Sequence, residues 1–333
     1  MSTESSTKED TFSKVMKQLG RFFKLVWTDY SIILITILIF AIAGIFAPRF
    51  VSAPNLLLII RQASIIGVLA MGMTFVIITG GIDLSSGHVV AVTGAVLIYL
   101  QGQPDMPLIV AILACFAVGA LIGLINGTII TKLRVPAFII TLAVGIMARS
   151  AALYLVQGRA LTGQRVPEFT TIYTGNQWFV PNPFLIWLGI ALIFGAILKY
   201  TRFGSYLFAV GGNELAAKYT GISANKTKII AYTIMGFCAG LAALLDFSRN
   251  AAISVPGAGL MYEFDAITAA VIGGTALSGG KGKMFNTFFG VIIISSVSNL
   301  MVMFGISPYL AGFVNGLIIM AAVLLQRREK VSL

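Results

Sequence analysis

Long uncharged apolar segments alternate with short polar ones along most of this chain. The stretches 30–48, 106–131 and 284–326 contain no Asp, Glu, Lys or Arg. A helix needs roughly 20 apolar residues to cross a bilayer. Each of the first two stretches is therefore long enough for one membrane-spanning helix, and the third is long enough for two. The pattern predicts an all-α integral membrane protein.

The same pattern predicts a bundle of about ten transmembrane helices, because ten apolar segments are separated by polar residues or prolines. The eighth segment is short and rich in glycine, so we expect it to be broken or to cross only in part. All ten prolines fall at segment ends or in loops, where a residue without a backbone N–H is tolerated. The expected spans are 30–47, 56–79, 87–101, 107–131, 136–157, 183–199, 227–247, 264–277, 284–304 and 308–325.

The distribution of Lys and Arg residues predicts how the chain is oriented in the membrane. With both termini in the cytoplasm, 17 of the 23 Lys and Arg residues face that side, as the positive-inside rule requires. This also accounts for the net charge of +11 without a nucleic-acid partner. The expected organisation is a cytoplasmic tail (1–29), a transmembrane domain (30–326) and a second cytoplasmic tail (327–333).

A polar loop over about 200–227 lies on the predicted cytoplasmic side, between two long apolar segments. Its central part, 211–221, is polar and ends in glycine. A membrane protein has little need for such a loop unless a soluble partner contacts it. The loop is therefore the first candidate for a functional surface.

The sequence does not match the motifs expected of an enzyme. Residues 273–283 are similar to a phosphate-binding loop, but position 277 is Leu where the motif requires glycine, and Met284 replaces the required Ser or Thr. His88 is the only histidine, and no cluster of His, Cys and Glu suggests a metal site. We expect a chain without catalytic residues, metal or cofactor. A packing or capping role is favoured for His88, and its effect on function is left open.

Two other groups of residues are candidates for a transport mechanism. Asp83 and Ser85, in a glycine-rich turn, are expected either to cap the third helix or to serve in gating or at an interface. Lys281 and Lys283 are expected to anchor a cytoplasmic loop, and they are placed in the same gating or interface group.

Near the outer end of the seventh span, charged residues form a possible patch. Arg249, Glu263 and Asp265 lie there together with Asp246. One interpretation is a docking surface for a soluble binding protein, held by salt bridges at its rim. The other is a solvated loop, and the sequence favours neither.

Glycines at a spacing of four predict close contacts between helices. They recur at Gly119, Gly123 and Gly127, at Gly236 and Gly240, and at Gly312 and Gly316. A separate, short match relates residues 78–87 to 272–280, both rich in glycine. Duplicated halves with broken helices are common in transporters.

Four long blocks carry a family resemblance: 70–85 (AMGMTFVIITGGIDLS), 135–142 (VPAFIITL), 209–222 (AVGGNELAAKYTGI) and 262–282 (YEFDAITAAVIGGTALSGGKG). In this order they resemble the monosaccharide branch of the ATP-binding-cassette (ABC) importer permeases. The resemblance covers nearly the whole chain from about residue 49. It implies a type II ABC importer-like fold and a multi-pass protein of the bacterial inner membrane.

The resemblance also implies partners. Two permease subunits, identical or different, would form the pathway, a separate cytoplasmic ATPase would bind ATP and magnesium, and a periplasmic or lipid-anchored binding protein would deliver the sugar. Coupling to the ATPase would involve Asn213, Glu214, Ala216, Ala217 and Gly221. The family often has Glu where this chain has Leu215, so the acid is shifted by one position.

The leading hypothesis is thus a permease subunit for ribose or a similar monosaccharide, surrounded by membrane lipid. The alternative is a secondary sugar carrier driven by an ion gradient. Such a carrier needs paired acids in its spans, and the spans here contain few ionisable groups.

Overall fold

The computed structural model describes residues 31–164 and 166–307, together with positions 310, 312–314, 316–317 and 320. The predicted tails 1–29 and 327–333 lie outside the described residues, as does most of the predicted tenth span.

Helices make up most of the described chain. The first half contains α1 (Ser31–Phe46), α2 (Ala53–Ile78), α3 (Ser86–Gln101), α4 (Leu108–Leu133) and α5 (Ala137–Leu155), with a 3-10 turn at Pro48–Val51. The second half contains α6 (Pro167–Thr174), α7 (Asn182–Tyr200), α8 (Arg202–Gly212), α9 (Glu214–Tyr219), α10 (Ala224–Ser248), α11 (Tyr262–Ile272) and α12 (Met284–Met303).

Each of the first nine predicted spans coincides with one of these helices. Six of the helices, α2, α4, α5, α7, α10 and α12, are long and apolar enough to cross a membrane, whereas α1 and α3 are shorter apolar helices. Helix α11 has 11 residues, which is about 16 Å of helix against a hydrocarbon core of about 30 Å. This part of the chain is an integral membrane bundle. The count of ten crossings is not confirmed.

Helices α4 and α10 approach each other closely, as their glycine spacing allows. A Cβ atom on Gly119 would lie 2.3 Å from the Gly236 carbonyl oxygen, and one on Gly123 would lie 2.1 Å from that of Tyr232. Any side chain at these positions would collide with backbone. The prediction of close packing is confirmed for this pair but not for Gly312 and Gly316, where a Cβ meets nothing within 4 Å.

Short strands close the end of the bundle reached by the C-terminus of α10. β1 (Leu161–Thr162) pairs antiparallel with β4 (Ala252–Ile253), and β2 (Asn176–Gln177) pairs with β3 (Val180–Pro181). Helix α9 lies at the opposite end, before the first residue of α10. The bundle therefore separates the predicted coupling loop from the predicted docking residues.

Candidate functional site

Helix α9 is short and is capped at both ends, by an asparagine side chain at its start and by a glycine after its last turn. The Asn213 side-chain oxygen accepts a hydrogen bond from the Ala216 backbone N–H at 3.0 Å, which caps the first turn. Gly221 follows the helix with φ of +82°. The Gly221 and Ile222 N–H groups donate to the carbonyls of Lys218 and Ala217, both at 3.0 Å. This is the Schellman arrangement that glycine favours at a helix C-terminus.

Glu214 attaches α9 to α10. One carboxylate oxygen lies 2.8 Å from the Lys218 ammonium on the same helix, and the other lies 2.6 Å from that of Lys228 on α10. Hydrogen bonds from Lys218 and then from Lys228 lower the pKa of the Glu214 carboxyl from 4.5 to about 2. Glu214 is therefore ionised at neutral pH and bridges the two helices.

The two faces of α9 differ in character. Ala217 is buried and packs with Val210 and Ala224. Leu215 and Tyr219 are 65% and 90% exposed. Beside α9 lies a cavity of about 790 Å³, which is lined by Glu214, Leu215 and Lys218 of α9, by the ends of α2 and α4 and by the first residues of α5 and α10. The helix is thus attached on one side, and it presents a large apolar and an aromatic residue on its open surface.

The segment just before α9 contacts both glycine-rich turns that the sequence comparison paired. We call Gly80, Gly211, Gly279 and Gly280 the glycine junction. The Gly280 N–H donates to the Ile78 carbonyl at 2.9 Å, and a Cβ on Gly211 would lie 1.7 Å from that same oxygen. Backbone therefore touches backbone where α2, α8 and the 273–283 loop meet.

The gating candidates Lys281 and Lys283 follow the glycine junction directly, and both are exposed. The Lys281 carbonyl accepts a hydrogen bond from the Ala276 N–H at 3.0 Å, which closes the loop on itself. The loop that carries these lysines is therefore connected to the segment before α9 through the backbone contacts of Gly280.

The other gating candidates, Asp83 and Ser85, lie inside the bundle. One Asp83 carboxylate oxygen accepts hydrogen bonds from the Ser85 N–H at 2.7 Å and from its hydroxyl at 2.6 Å. The Asn126 amide on α4 donates to the same hydroxyl at 2.9 Å. The prediction that these side chains cap α3 is wrong, because Ser85 occupies the N-cap position and its side chain accepts no hydrogen bond from the first turn. The group instead links the 79–85 turn to α4.

His88 is held by Arg149, a residue that the sequence reasoning did not select. The Arg149 Nε donates to His88 Nδ1 at 2.7 Å, and its terminal nitrogens donate to the carbonyls of Val255 and Ala258, both at 2.7 Å. Arg149 thus ties α5 to α3 and to the 254–258 turn. The sequence could have identified Arg149 as a candidate, because it lies inside an apolar span, where a charged side chain is costly without a partner.

The predicted docking patch is not a single surface. Arg249 is exposed, and its guanidinium lies 5.7 Å from the ring centroid of Tyr173. Glu263 is only 8% exposed, and a Cβ on Gly87 would lie 2.0 Å from its carboxylate. Placing Glu263 in an exposed patch is therefore wrong, because the missing side chain of Gly87 leaves room for the carboxylate inside the bundle. Asp265 is partly exposed.

In the part of the chain that the structure describes, no group of three or more His, Cys, Asp or Glu side chains is arranged to hold a metal ion. A short capped helix at the surface is joined by backbone contacts to turns that lead into the bundle.

Residues 55–323 match the family described as "Branched-chain amino acid transport system / permease component". The chain belongs to this family. No solved structure matches it.

Several relatives that match most of the chain are sugar permeases of bacteria. The ribose import permease protein RbsC of Escherichia coli (strain K12) is 37% identical over 318 residues, covering 93% of this chain and 97% of that protein. RbsC of Haemophilus influenzae is 39% identical, covering 92% and 94%. The L-arabinose transport system permease protein AraH of E. coli (strain K12) is 35% identical, covering 92% of each. The chain is thus a ribose-type ABC permease, a multi-pass protein of the bacterial inner membrane.

Proposed function

We propose that this chain is the membrane subunit of an ATP-driven, binding-protein-dependent monosaccharide importer. The observation that carries the proposal is the attachment of α9. Its caps and the Glu214 bridge hold Leu215 and Tyr219 outward, while Gly211, two residues before Asn213, is part of the glycine junction. A partner bound to α9 can thereby move the turns at the ends of α2 and α11.

The partner at α9 is a separate cytoplasmic ATPase, which binds ATP and magnesium. Asn213, Ala216, Ala217 and Gly221 shape the helix, and Glu214 fixes it to Lys228. The acid lies one position earlier than in the common family pattern, so its role here is attachment to α10. The contact surface for the ATPase is then Leu215 and Tyr219.

The remaining assignments follow from charge and family. About ten crossings with both termini in the cytoplasm give the observed distribution of lysine and arginine. Two permease subunits form the pathway. A sugar-binding protein docks at the end of the bundle opposite α9, where Arg249 is exposed and Asp265 is partly exposed.

Ribose or a closely similar pentose is the favoured cargo, because two of the relatives described above are named for ribose import. A relative named for L-arabinose is nearly as similar, so the sugar has to be measured. The ion-driven carrier is the alternative, and the ionophore arm of the uptake experiment tests it.

The test is uptake into proteoliposomes that contain the chain, the ATPase and the binding protein encoded beside it. Labelled ribose, arabinose and allose are supplied outside with ATP inside, with and without ionophores. We expect uptake of one sugar that requires ATP and survives the ionophores. Uptake that needs an ion gradient and no ATPase would overturn the proposal.

A further inference from the structure

An apolar groove of about 850 Å³ runs between α7 and α12. Leu192 and Gly195 form one wall, and Phe285 and Phe289 form the other. Both helices are long and apolar enough to cross a membrane. The groove volume lies within the roughly 300–1,000 Å³ of pockets that hold small ligands. The groove therefore has the size and surface to take hydrocarbon chains.

One end of the groove is positively charged. Lys199 comes from the last turn of α7, and Lys283 is the residue just before α12. Both side chains are exposed, and they are the charged residues among those that line the groove. Tyr200 lies beside them, with the Lys199 ammonium 5.2 Å from its ring centroid. Two cations and a tyrosine at the mouth of an apolar groove match a lipid headgroup above its acyl chains.

We propose that this groove binds an anionic phospholipid, with the phosphate at Lys199 and Lys283 and the acyl chains along α7 and α12. Its placement in the cytoplasmic leaflet rests on the proposed orientation. A second copy of the chain is a poorer occupant, because a symmetric pair meeting at this groove would bring the Lys199 and Lys283 side chains of the two copies together. A phosphate group supplies the opposite charge directly.

The headgroup position connects this site to the candidate coupling region. Lys199 lies two residues before Thr201, whose hydroxyl caps α8. Lys283 lies three residues after Gly280 of the glycine junction. A phosphate bound by both lysines would thus hold together the two segments that flank α8. We expect anionic lipid to support coupling as well as to occupy the groove.

Tryptophan fluorescence offers a direct test that needs no transport. Trp187 is buried and stacks on Phe288 at 4.1 Å between ring centroids, and Phe288 lines the groove. With Trp27 and Trp178 replaced by Phe, the full chain keeps Trp187 alone. It is placed in phosphatidylcholine nanodiscs that contain an equal small fraction of brominated phosphatidylglycerol or brominated phosphatidylcholine. Bromine quenches only nearby tryptophan.

We expect stronger quenching by the brominated phosphatidylglycerol. The double substitution Lys199→Gln and Lys283→Gln should lower this preference about tenfold or more, whereas Lys226→Gln, at an exposed lysine that does not line the groove, should leave it unchanged. Gly195→Leu should fill the groove and reduce quenching by both lipids. Gly189→Leu is the control, because a Cβ there meets nothing within 4 Å.

Equal quenching by the two lipids would overturn the proposal, because the groove would then not select the anionic headgroup. Quenching by neither lipid would also overturn it, since another protein surface would then occupy the groove. Both readouts are independent of sugar, ATP and the ATPase, so they stand even if the proposed transport function fails.

Discussion

Helices α4 and α10 touch through their backbones, whereas α9 is attached to α10 through side chains, namely the Glu214–Lys228 ion pair and the packing of Ala217 with Ala224. In the first contact, Gly119, Gly123 and Gly236 leave no space for a side chain. In the second, Glu214 bridges two lysines at a partly exposed site. The same helix α10 therefore has a fixed contact along its middle and an adjustable one at its beginning.

The difference indicates which parts move together. A backbone contact without side chains has no alternative rotamers, so α4 and α10 behave as one body. A surface ion pair of this kind contributes only about 0–1 kcal/mol, which allows α9 to shift when a partner binds. The permease thus combines a rigid pair of helices with a surface helix whose attachment can be overcome by binding energy.

The largest expected effect comes from breaking the rigid contact. Gly123→Ala would place a Cβ 2.1 Å from the Tyr232 carbonyl oxygen, and we expect a loss of about 3 kcal/mol in stability. Thermal unfolding in detergent, followed by size-exclusion chromatography, measures it. Gly189→Ala is the matched control, because its Cβ meets nothing within 4 Å. Equal melting temperatures for Gly123→Ala and Gly189→Ala would contradict a rigid contact between α4 and α10.

Removing the adjustable attachment should affect coupling more than folding. Glu214→Gln deletes both ion pairs while Asn213 still caps α9. We expect sugar-stimulated ATP hydrolysis to fall several-fold, with the melting temperature nearly unchanged. Lys226→Gln serves as the control, since it removes a charge from the same region without touching the bridge. Normal stimulation in Glu214→Gln would show that the bridge is dispensable.

Substitution of Gly221 is expected to have a smaller effect, a loss of stability confined to α9. At φ of +82°, an alanine costs about 1–2 kcal/mol, although a Cβ there meets nothing within 4 Å. Hydrogen exchange of the α9 amides should quicken about fivefold or more in Gly221→Ala, and less in Gly221→Asn, because asparagine tolerates this conformation. An unchanged exchange rate would mean that the cap does not hold the helix.

Between pH 8 and pH 5 we expect no change in α9. The pKa of Glu214 is lowered on folding from 4.5 to about 2. Its contribution is therefore fully present above the unfolded value and is lost only as pH falls through about 2. Hydrogen exchange of α9, corrected for its intrinsic pH dependence, measures this. A loosening of α9 between pH 8 and pH 5 would contradict the ionised bridge.

The sequence predicted what depends on local pattern. Apolar length located the first nine spans within a few residues, and glycine spacing predicted close packing on α4 and α10 without showing that these two helices contact each other. Long-range side-chain contacts were not accessible. Glu263 was expected at the surface, but it is buried because Gly87, distant in the chain, lacks a side chain. The pairing of Arg149 with His88 likewise joins two helices whose relative position no local pattern defines. At α9, the caps follow from Asn213 and Gly221, whereas the bridge to Lys228 requires the fold.

The most direct test of the account compares two leucines of similar exposure. Leu215 on α9 is 65% exposed, and Leu260, beyond the far end of α10, is 62% exposed. The affinity of the purified ATPase for the reconstituted chain is measured for Leu215→Asp and Leu260→Asp. The account predicts a loss of at least tenfold for Leu215→Asp and no loss for Leu260→Asp. Equal affinities, or a loss at Leu260 alone, would contradict coupling through α9.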